Sequence, residues 1–295
     1  MTRYQKEIVI KNAFFTLSLI SIMVLGLIVI FLFREGLPIF REVSLRDFLF
    51  GREWYPTYDP PSYGIWPLIV ASLIVTFFSS LLAVPLGVLS AVYISEIAPP
   101  AIKEILKSII ELLAGLPSVV LGFFGMVTVA PWLQETFDLP TGLNIVNASA
   151  ILALMAVPTI SSISEDALYA VPQDFKEASY ALGATKFETI ARIIVPAALS
   201  GISTAVILGM ARAIGETMVV LMVAGGAAAI PESIFDSVRP MPASIAAEMG
   251  EAPFRSGHYH ALFATGIVLF FMTLAFNLIA DYLAQKFKEV GSATL

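Results

Sequence analysis

Six long apolar runs dominate this 295-residue sequence and constrain its fold more than any other feature. A helix needs about 20 mostly apolar residues to cross the hydrocarbon core of a bilayer, and each run reaches that length. We therefore interpret each run as one transmembrane helix and expect an all-α integral membrane protein. The runs cover residues 12–33, 65–94, 105–130, 146–170, 197–224 and 259–283.

The composition supports a membrane location. Hydrophobic residues make up 58% of the chain and charged residues 14%, and the mean hydropathy is +0.85. One soluble core could not hide that much apolar surface. The first run is longer than a signal-peptide core and lacks a small-residue cleavage site near its end, so we interpret it as a retained anchor. No internal repeat or soluble domain boundary is visible, and residues 1–295 are expected to form a single membrane domain.

The lysines indicate the orientation of the spans, because basic residues near span ends stay in the cytoplasm. If the N-terminus lies inside, six spans also leave the C-terminus inside, and all eight lysines then fall on the cytoplasmic side. The arginines of the first external segment, residues 35–64, alternate with acidic residues, so that segment is mixed in charge. The lysines are Lys6, Lys11, Lys103, Lys107, Lys176, Lys186, Lys286 and Lys288.

Two predicted external segments are long enough to carry a function. The aromatic residues of segment 35–64 are assigned mainly to an interfacial belt, with a soluble partner as the alternative. Segment 225–257 mixes small residues, prolines and charges, and is interpreted as a partly re-entrant or interfacial loop. The aromatic residues in question are Trp54, Tyr55, Tyr58 and Tyr63.

Composition and motifs also exclude several function classes. The net charge of -6 argues against a nucleic-acid partner, and the lack of cysteine excludes disulfides and thiolate chemistry. No G-x-x-x-x-G-K-[ST] motif is present, so the chain does not bind ATP by that route and no cofactor is expected in it. His258 and His260 form a weak metal signal without further ligands nearby, and no metal site is expected.

Residues 172–196 form a polar island between two apolar runs and are predicted to fold as a helical hairpin. Asp174 with Glu177 fits a capping box at the start of a first helix, and Gly183 fits a left-handed turn at its end. Thr185 with Glu188 repeats the start signal for a second helix. A capped hairpin between membrane spans is suited to contact a partner, although an ordinary solvated connector would show similar caps.

Arg212 and Glu216 lie inside the fifth apolar run, where ionisable residues are costly and usually face a bundle interior or a watery path. On a continuous helix they are neighbours, and a stripe of Gly201, Ala205 and Gly209 leads up to them. One interpretation is an anion path in which Arg212 supplies positive potential and Glu216 holds its geometry. The alternative is a structural salt bridge beneath close helix contacts.

The hairpin resembles the "EAA" loop of bacterial ABC importer permeases, which docks into a cleft on a cytoplasmic ATPase. The pattern is Glu-Ala-Ser, glycine after three further residues, isoleucine after nine and proline after two, with serine where the loop usually has a second alanine. By this resemblance the coupling residues are Glu177, Ala178, Ser179, Gly183, Ile193 and Pro196.

Several further segments resemble the phosphate-specific ABC permeases of the PstC type. They are 93–96, 111–125, 211–218 and 241–252. The resemblance implies a type I ABC importer permease fold in the cell membrane, with Arg212 and Glu216 required for phosphate passage. It also implies a second, PstA-type permease, an ATPase dimer that holds ATP and Mg, and an extracytoplasmic phosphate-binding protein.

The residues alone leave other readings open. An arginine attracts sulfate, molybdate or tungstate as well as phosphate, because its paired donors match any tetrahedral oxyanion. A secondary anion transporter should show inverted repeats with broken helices, and none is visible in the sequence. A membrane scaffold without transport activity should tolerate the loss of Arg212. An intramembrane enzyme is disfavoured because no nucleophile and base pattern is present.

Overall fold

The computed structural model describes residues 3–292, most of which are helical. The helices are α1 (Arg3–Gly36), α2 (Leu45–Phe50), α3 (Trp66–Val92), α4 (Pro100–Ala114), α5 (Ser118–Phe124), α6 (Ala130–Phe137), α7 (Ile145–Tyr169), α8 (Gln173–Ala181), α9 (Lys186–Thr189), α10 (Val195–Ala197), α11 (Leu199–Ile214), α12 (Met218–Val223), α13 (Met241–Glu248) and α14 (Gly257–Ser292). Strands β1 (Trp54–Tyr55) and β2 (Ser62–Tyr63) pair antiparallel. A 3-10 turn covers Leu37–Arg41, and π-helical segments cover Tyr93–Ile97, Gly125–Val129 and Ile190–Ile194.

In the part of the chain that the structure describes, five helical segments are long and apolar enough to cross a membrane, and a sixth span results if one bent pair is counted as a unit. The bent pair joins Lys186–Ala197 to Leu199–Ile214 at an angle of 69°. The prediction of a six-span helical protein is therefore confirmed on that count. The five continuous segments are Ile10–Arg41, Trp66–Ile97, Ser118–Phe137, Ile145–Tyr169 and Gly257–Ile279.

The third predicted span, 105–130, was placed wrongly at both ends, since the apolar span runs from Ser118 to Phe137. α4 ends at Ala114, and the apolar span begins only at Ser118. Pro117 explains the break, because proline disfavours helical geometry in the residue before it and cannot donate a backbone hydrogen bond. α4 carries charged residues along one face and buries none of its own residues in this chain. It is a separate amphipathic helix rather than the first half of a span.

The fifth predicted span, 197–224, is also interrupted. The chain bends at Ala198, and α11 ends at Ile214. Three residues, Gly215 to Thr217, separate α11 from the short helix α12. The break divides the run into two helices, and the charged residues lie at the division.

The centre of the bundle is formed by α3, α7 and α11, which meet around Ile160. This side chain is 1% exposed. A Cβ atom added to Gly87 of α3 would lie 2.7 Å from the Cβ and Cγ2 atoms of Ile160, and one added to Gly209 of α11 would lie 2.5 Å from its Cγ1 atom. Both glycines therefore allow the neighbouring helices to approach α7 closely, as small residues do between membrane helices.

The first external segment forms part of a small core. Trp54 and Tyr63 are directly paired across the β1–β2 ladder, and both side chains are buried. The prediction of an interfacial belt is wrong for these two residues, because alternate strand residues point to opposite faces and the inward face here packs on Leu262 of α14 and its neighbours. Tyr55 and Tyr58 are exposed and stack on each other at 4.9 Å.

The second external segment, 225–257, is attached to the bundle through α13. The backbone N–H of Met241 donates to Ser72 Oγ of α3 at 2.9 Å. At the end of α13, the Glu248 carboxylate accepts from Trp54 Nε1 at 3.0 Å and pairs with Arg239. Glu248 thus joins residues from both external segments into one cap.

We expect Gly87→Ala to destabilise the protein by about 1–3 kcal/mol, because the added methyl group overlaps with the immobile Cβ of Ile160. Gly26→Ala in α1 is the matched control, since a Cβ there meets nothing within 4 Å. The measurement is the unfolding midpoint of each variant in the same detergent. Equal midpoints for the two variants would contradict the close packing of α3 on α7.

The predicted orientation can be tested with single cysteines, because the chain has none of its own. We expect Thr57→Cys and Gly250→Cys to react with an impermeant thiol reagent in intact cells, and Ser108→Cys to react only after permeabilisation. All three positions are exposed on this chain. The opposite labelling pattern would invert the topology.

Candidate functional site

Arg212 and Glu216 do not share a helix. Arg212 lies in the last turn of α11, which ends at Ile214, and Glu216 lies in the break that follows. The prediction that they are neighbours on one continuous helical face is wrong, because it assumed that the apolar run holds one helix. Gly215 is the residue that follows the last turn of α11, and its N–H donates to Ala213 O. The two charged residues therefore belong to different elements of the chain.

Glu216 is directed towards the start of α12. Its Oε1 atom accepts from the backbone N–H of Met218 at 3.2 Å and of Val219 at 3.5 Å. These amides have no partner within α12, and a carboxylate is well suited to them because the N-terminal end of a helix carries partial positive charge. Glu216 thus helps to set the position at which α12 begins.

Arg212 is exposed on the surface of this chain. Among the side chains that the structure describes, residues 10–279, 281 and 282, no ion pair joins it to Glu216 or to another carboxylate, so the alternative of a structural salt bridge with Glu216 is not observed. Its guanidinium group keeps all five N–H donors for another acceptor. The cleft beside it is lined by Leu152, Met155, Ala156, Arg212, Ala213 and Glu216.

The predicted stripe of small residues lies on the side of α11 that meets α7, and Arg212 follows it at the end of the helix, beside residues of α7. Ala205 and Gly209 are buried, whereas Arg212 is exposed. A Cβ added to Gly201 would lie 2.4 Å from the Cβ of Ala167, so this glycine also packs against α7. The small residues therefore bring α11 onto α7, and Arg212 projects beside that contact.

The first hairpin helix starts earlier than predicted. α8 begins at Gln173 after Pro172, and no side chain caps its first turn. The expected capping box of Asp174 with Glu177 is therefore wrong. The extended conformation of Pro172 ends the preceding loop, so Asp174 lies inside the first turn, where its charge still favours the helix dipole.

The turn and the second helix of the hairpin are as predicted. Gly183 has a φ of +84°, and its N–H donates to Tyr180 O at 2.9 Å. The capping box of Thr185 and Glu188 is formed in both directions. The sequence thus predicted the two features that set the angle between α8 and α9.

The hairpin has a buried side and an exposed side. Ser179 is buried, and its Oγ lies 2.9 Å from Thr189 Oγ1. Leu182 and Phe187 are 89% and 77% exposed, which leaves large apolar side chains uncovered at the tip. Of the other predicted coupling residues, Glu177, Ala178, Gly183 and Pro196 are exposed and Ile193 is half-buried.

Ion pairs that the sequence analysis missed hold the hairpin and α4 in place. Lys176 Nζ lies 2.8 Å from Glu96 Oε1 in the π segment that ends α3. Lys103 and Lys107 of α4 both reach Glu165 of α7 at 3.0 Å. The hydrogen bond to Glu165 raises the pKa of the Lys107 ammonium above its ordinary value, so this lysine remains charged. In the sequence, the four-residue spacing of Lys103 and Lys107 could have indicated a shared partner, because it places both lysines on one face of a helix.

The two histidines do not converge on a common point. His258 Nε2 lies 2.8 Å from Glu248 Oε2, whereas His260 Nδ1 lies 2.6 Å from the backbone oxygen of Glu35. Among the residues that the structure describes, no group of three or more His, Cys, Asp or Glu side chains is placed to hold a metal ion. Both histidines instead contact residues of the cap formed by segments 35–64 and 225–257.

Comparisons with known proteins identify related sequences. The profile described as "Binding-protein-dependent transport system inner membrane component" matches residues 83–289. The probable ABC transporter permease protein YqgH of Bacillus subtilis is 41% identical over 92% of this chain and 88% of its own. The phosphate transport system permease protein PstC of Mesorhizobium japonicum is 32% identical over 81% of this chain and 78% of its own.

Solved structures show the same fold at lower identity. A chain of a bacterial alginate ABC transporter, in complex with an alginate pentasaccharide-bound periplasmic protein, aligns with a TM-score of 0.67 at 15% identity, covering 97% of this chain and 98% of its own. A chain of the inward-facing MetNI methionine ABC transporter aligns with a TM-score of 0.57 at 20% identity, covering 76% and 94%.

We expect Gly183→Val to destabilise the hairpin by about 1–2 kcal/mol, because a β-branched residue meets a steric cost in the left-handed conformation. Gly250→Val is the matched control, since Gly250 is also exposed and meets nothing within 4 Å but has no positive φ. Protease cleavage rates within residues 172–196 measure the effect. Equal rates in the two variants would mean that the turn carries no such constraint.

Proposed function

Because the chain belongs to the family of binding-protein-dependent transport system inner membrane components, we propose that it forms the path for inorganic phosphate in an ABC importer. It is a multi-pass permease subunit of the cell membrane with the type I importer fold, and a transport subunit rather than an enzyme. Such permeases work with an ATPase and a substrate-binding protein. Relatives named as phosphate permeases, at about 32% identity over most of the chain, support the choice of phosphate.

The observation that carries this proposal is that Arg212 is exposed and makes no ion pair with the side chains that the structure describes. A charge inside a span is costly unless it faces a watery path or another polar group. Glu216 accepts from the amides of Met218 and Val219 and makes no direct ion pair with Arg212 in this arrangement. The guanidinium fork can then donate two parallel hydrogen bonds to two oxygens of one phosphate ion.

Glu216 has a second role in the proposed path. It lines the same cleft as Arg212, and its negative charge disfavours an anion that remains bound there. Conduction requires binding that is weak enough for release. Arg212 and Glu216 together therefore suit passage rather than storage.

The position of Arg212 on the surface supports a path shared with a second subunit. One chain offers only one wall of a cleft around this residue. A homologous permease of the PstA type would supply the other wall. An extracytoplasmic phosphate-binding protein would deliver the ion to this pair, and sulfate, molybdate or tungstate remain the alternative substrates for the same arginine chemistry.

We also assign the hairpin to ATPase docking. Glu177, Ala178 and Gly183 lie on its exposed side, near the uncovered tip residues Leu182 and Phe187. Ser179, Ile193 and Pro196 would keep the hairpin in position. ATP and Mg would be held by the ATPase dimer, and this chain would need no cofactor.

In vesicles that contain all subunits, we expect Arg212→Ala to lower phosphate uptake by about tenfold or more, because a lost charge-assisted hydrogen bond costs roughly 1.5–3 kcal/mol. Arg212→Lys should restore uptake only in part, since Lys lacks the planar fork. Arg52→Ala is the control, because Arg52 is an exposed arginine in the external segment. Uptake at the normal rate in the Ala variant would make Arg212 dispensable for the path.

The same vesicles test the choice of ion. Phosphate uptake should persist in the presence of excess sulfate or molybdate if phosphate is the substrate. Uptake of labelled sulfate or molybdate in preference to phosphate would assign the permease to another oxyanion.

A further inference from the structure

Two parts of the chain are joined by ion pairs, and each part supplies both a carboxylate and at least one lysine. The first part runs from the π segment Tyr93–Ile97 through α4, and the second runs from α7 into α8. A carboxylate of the first part pairs with a lysine of the second part. A carboxylate of the second part pairs with two lysines of the first part. The residues are Glu96 with Lys176, and Glu165 with Lys103 and Lys107.

The carboxylates of these ion pairs and Lys176 are largely removed from solvent, whereas Lys103 and Lys107 are 28% and 43% exposed. The side chains of Glu96 and Glu165 are 8% and 7% exposed, and that of Lys176 is 14% exposed. Lys176 also contacts the second Glu96 oxygen at 3.0 Å, so the carboxylate is held on both atoms. Buried ion pairs are often no more stabilising than apolar contacts, but they fix one geometry, and breaking one side leaves an uncompensated charge.

The pairs connect the hairpin to the site through a continuous series of contacts. α4 leads through the break at Gly115 to Pro117 into α5. α5 packs on α12 so closely that a Cβ at Gly122 would lie 2.8 Å from Met222 Sδ. The first amides of α12 are held by Glu216, which lines the cleft of Arg212. A displacement of α8 can therefore reach the site through packed elements.

We propose that Glu96, Lys103, Lys107, Glu165 and Lys176 form an ionic clasp that transmits movement of the hairpin to α4 and the third span. They are positioning residues, since none of them lines the cleft of Arg212. The inference rests on the proposed function in one respect, the docking of an ATPase on the hairpin. It does not depend on which oxyanion is carried.

The test measures coupling in vesicles that contain both permeases, the ATPase and the binding protein. We expect Glu96→Gln and Lys176→Gln each to lower the stimulation of ATP hydrolysis by the loaded binding protein by about threefold or more, with assembly retained. The number of ions imported per ATP hydrolysed should fall with it. A contact that only held the hairpin together would change assembly or unfolding temperature and leave this ratio unchanged.

A charge exchange provides the decisive variant. Glu96→Lys combined with Lys176→Glu restores opposite charges at the same place, and we expect it to recover at least about half of the stimulation that either single reversal loses. Glu104→Gln on α4 is the matched control, because Glu104 is an exposed carboxylate of the same helix. Full stimulation in Glu96→Gln, or a double exchange no better than the single reversals, would overturn the clasp.

The outcomes also separate this proposal from the choice of phosphate. If the wild-type complex imports another oxyanion, the phosphate assignment fails. The stimulation of ATP hydrolysis is then measured with the binding protein loaded with that ion. If the wild-type complex imports phosphate while all clasp variants remain normally coupled, the clasp fails and the phosphate assignment stands.

Discussion

The close approach of α3 and α11 to Ile160 of α7 is the contact on which the rest of the molecule depends. α7 is the most buried of the membrane-spanning helices, with 67% of its apolar window covered, and both neighbours reach it where a glycine replaces a side chain. Because packing in lipid gains little from the hydrophobic effect, such van der Waals fit has to position the helices. α11 then presents Arg212, and α7 presents Glu165 at its other end. The positions of both charged sites therefore depend on this apolar contact.

Features that depend on a few neighbouring residues were predictable from the sequence. The capping box of Thr185 and Glu188 and the left-handed turn at Gly183 use local hydrogen bonds and local sterics, and both are found as expected. The bounds of the second, fourth and sixth spans also follow from hydropathy to within a few residues. The Asp174 cap failed for an equally local reason, because Pro172 already ends the preceding loop.

Features that depend on distant residues were not predictable. Trp54 and Glu248 are hydrogen-bonded although 194 positions separate them, and Lys176 meets Glu96 across 80 positions. A hydropathy average taken over a long window also does not detect a short helix break. The apolar run around Glu216 was therefore interpreted as one helix, although it contains two. The candidate residues of the site were thus visible in the sequence, whereas their mutual arrangement came from the tertiary fold.

The break in the fifth span and the break between α4 and the third span have a consequence for the boundary with lipid. Where a helix is interrupted, backbone N–H and C=O groups lose their partners, and hydrocarbon offers no replacement. The surface around Gly115 to Pro117 and Gly215 to Thr217 must therefore face protein or water. α1, by contrast, runs unbroken over 34 residues and exposes apolar side chains along much of its length, so it can border acyl chains directly. The continuous helix α1 can thus face lipid along its length, whereas the backbone at the two interruptions needs protein or water beside it.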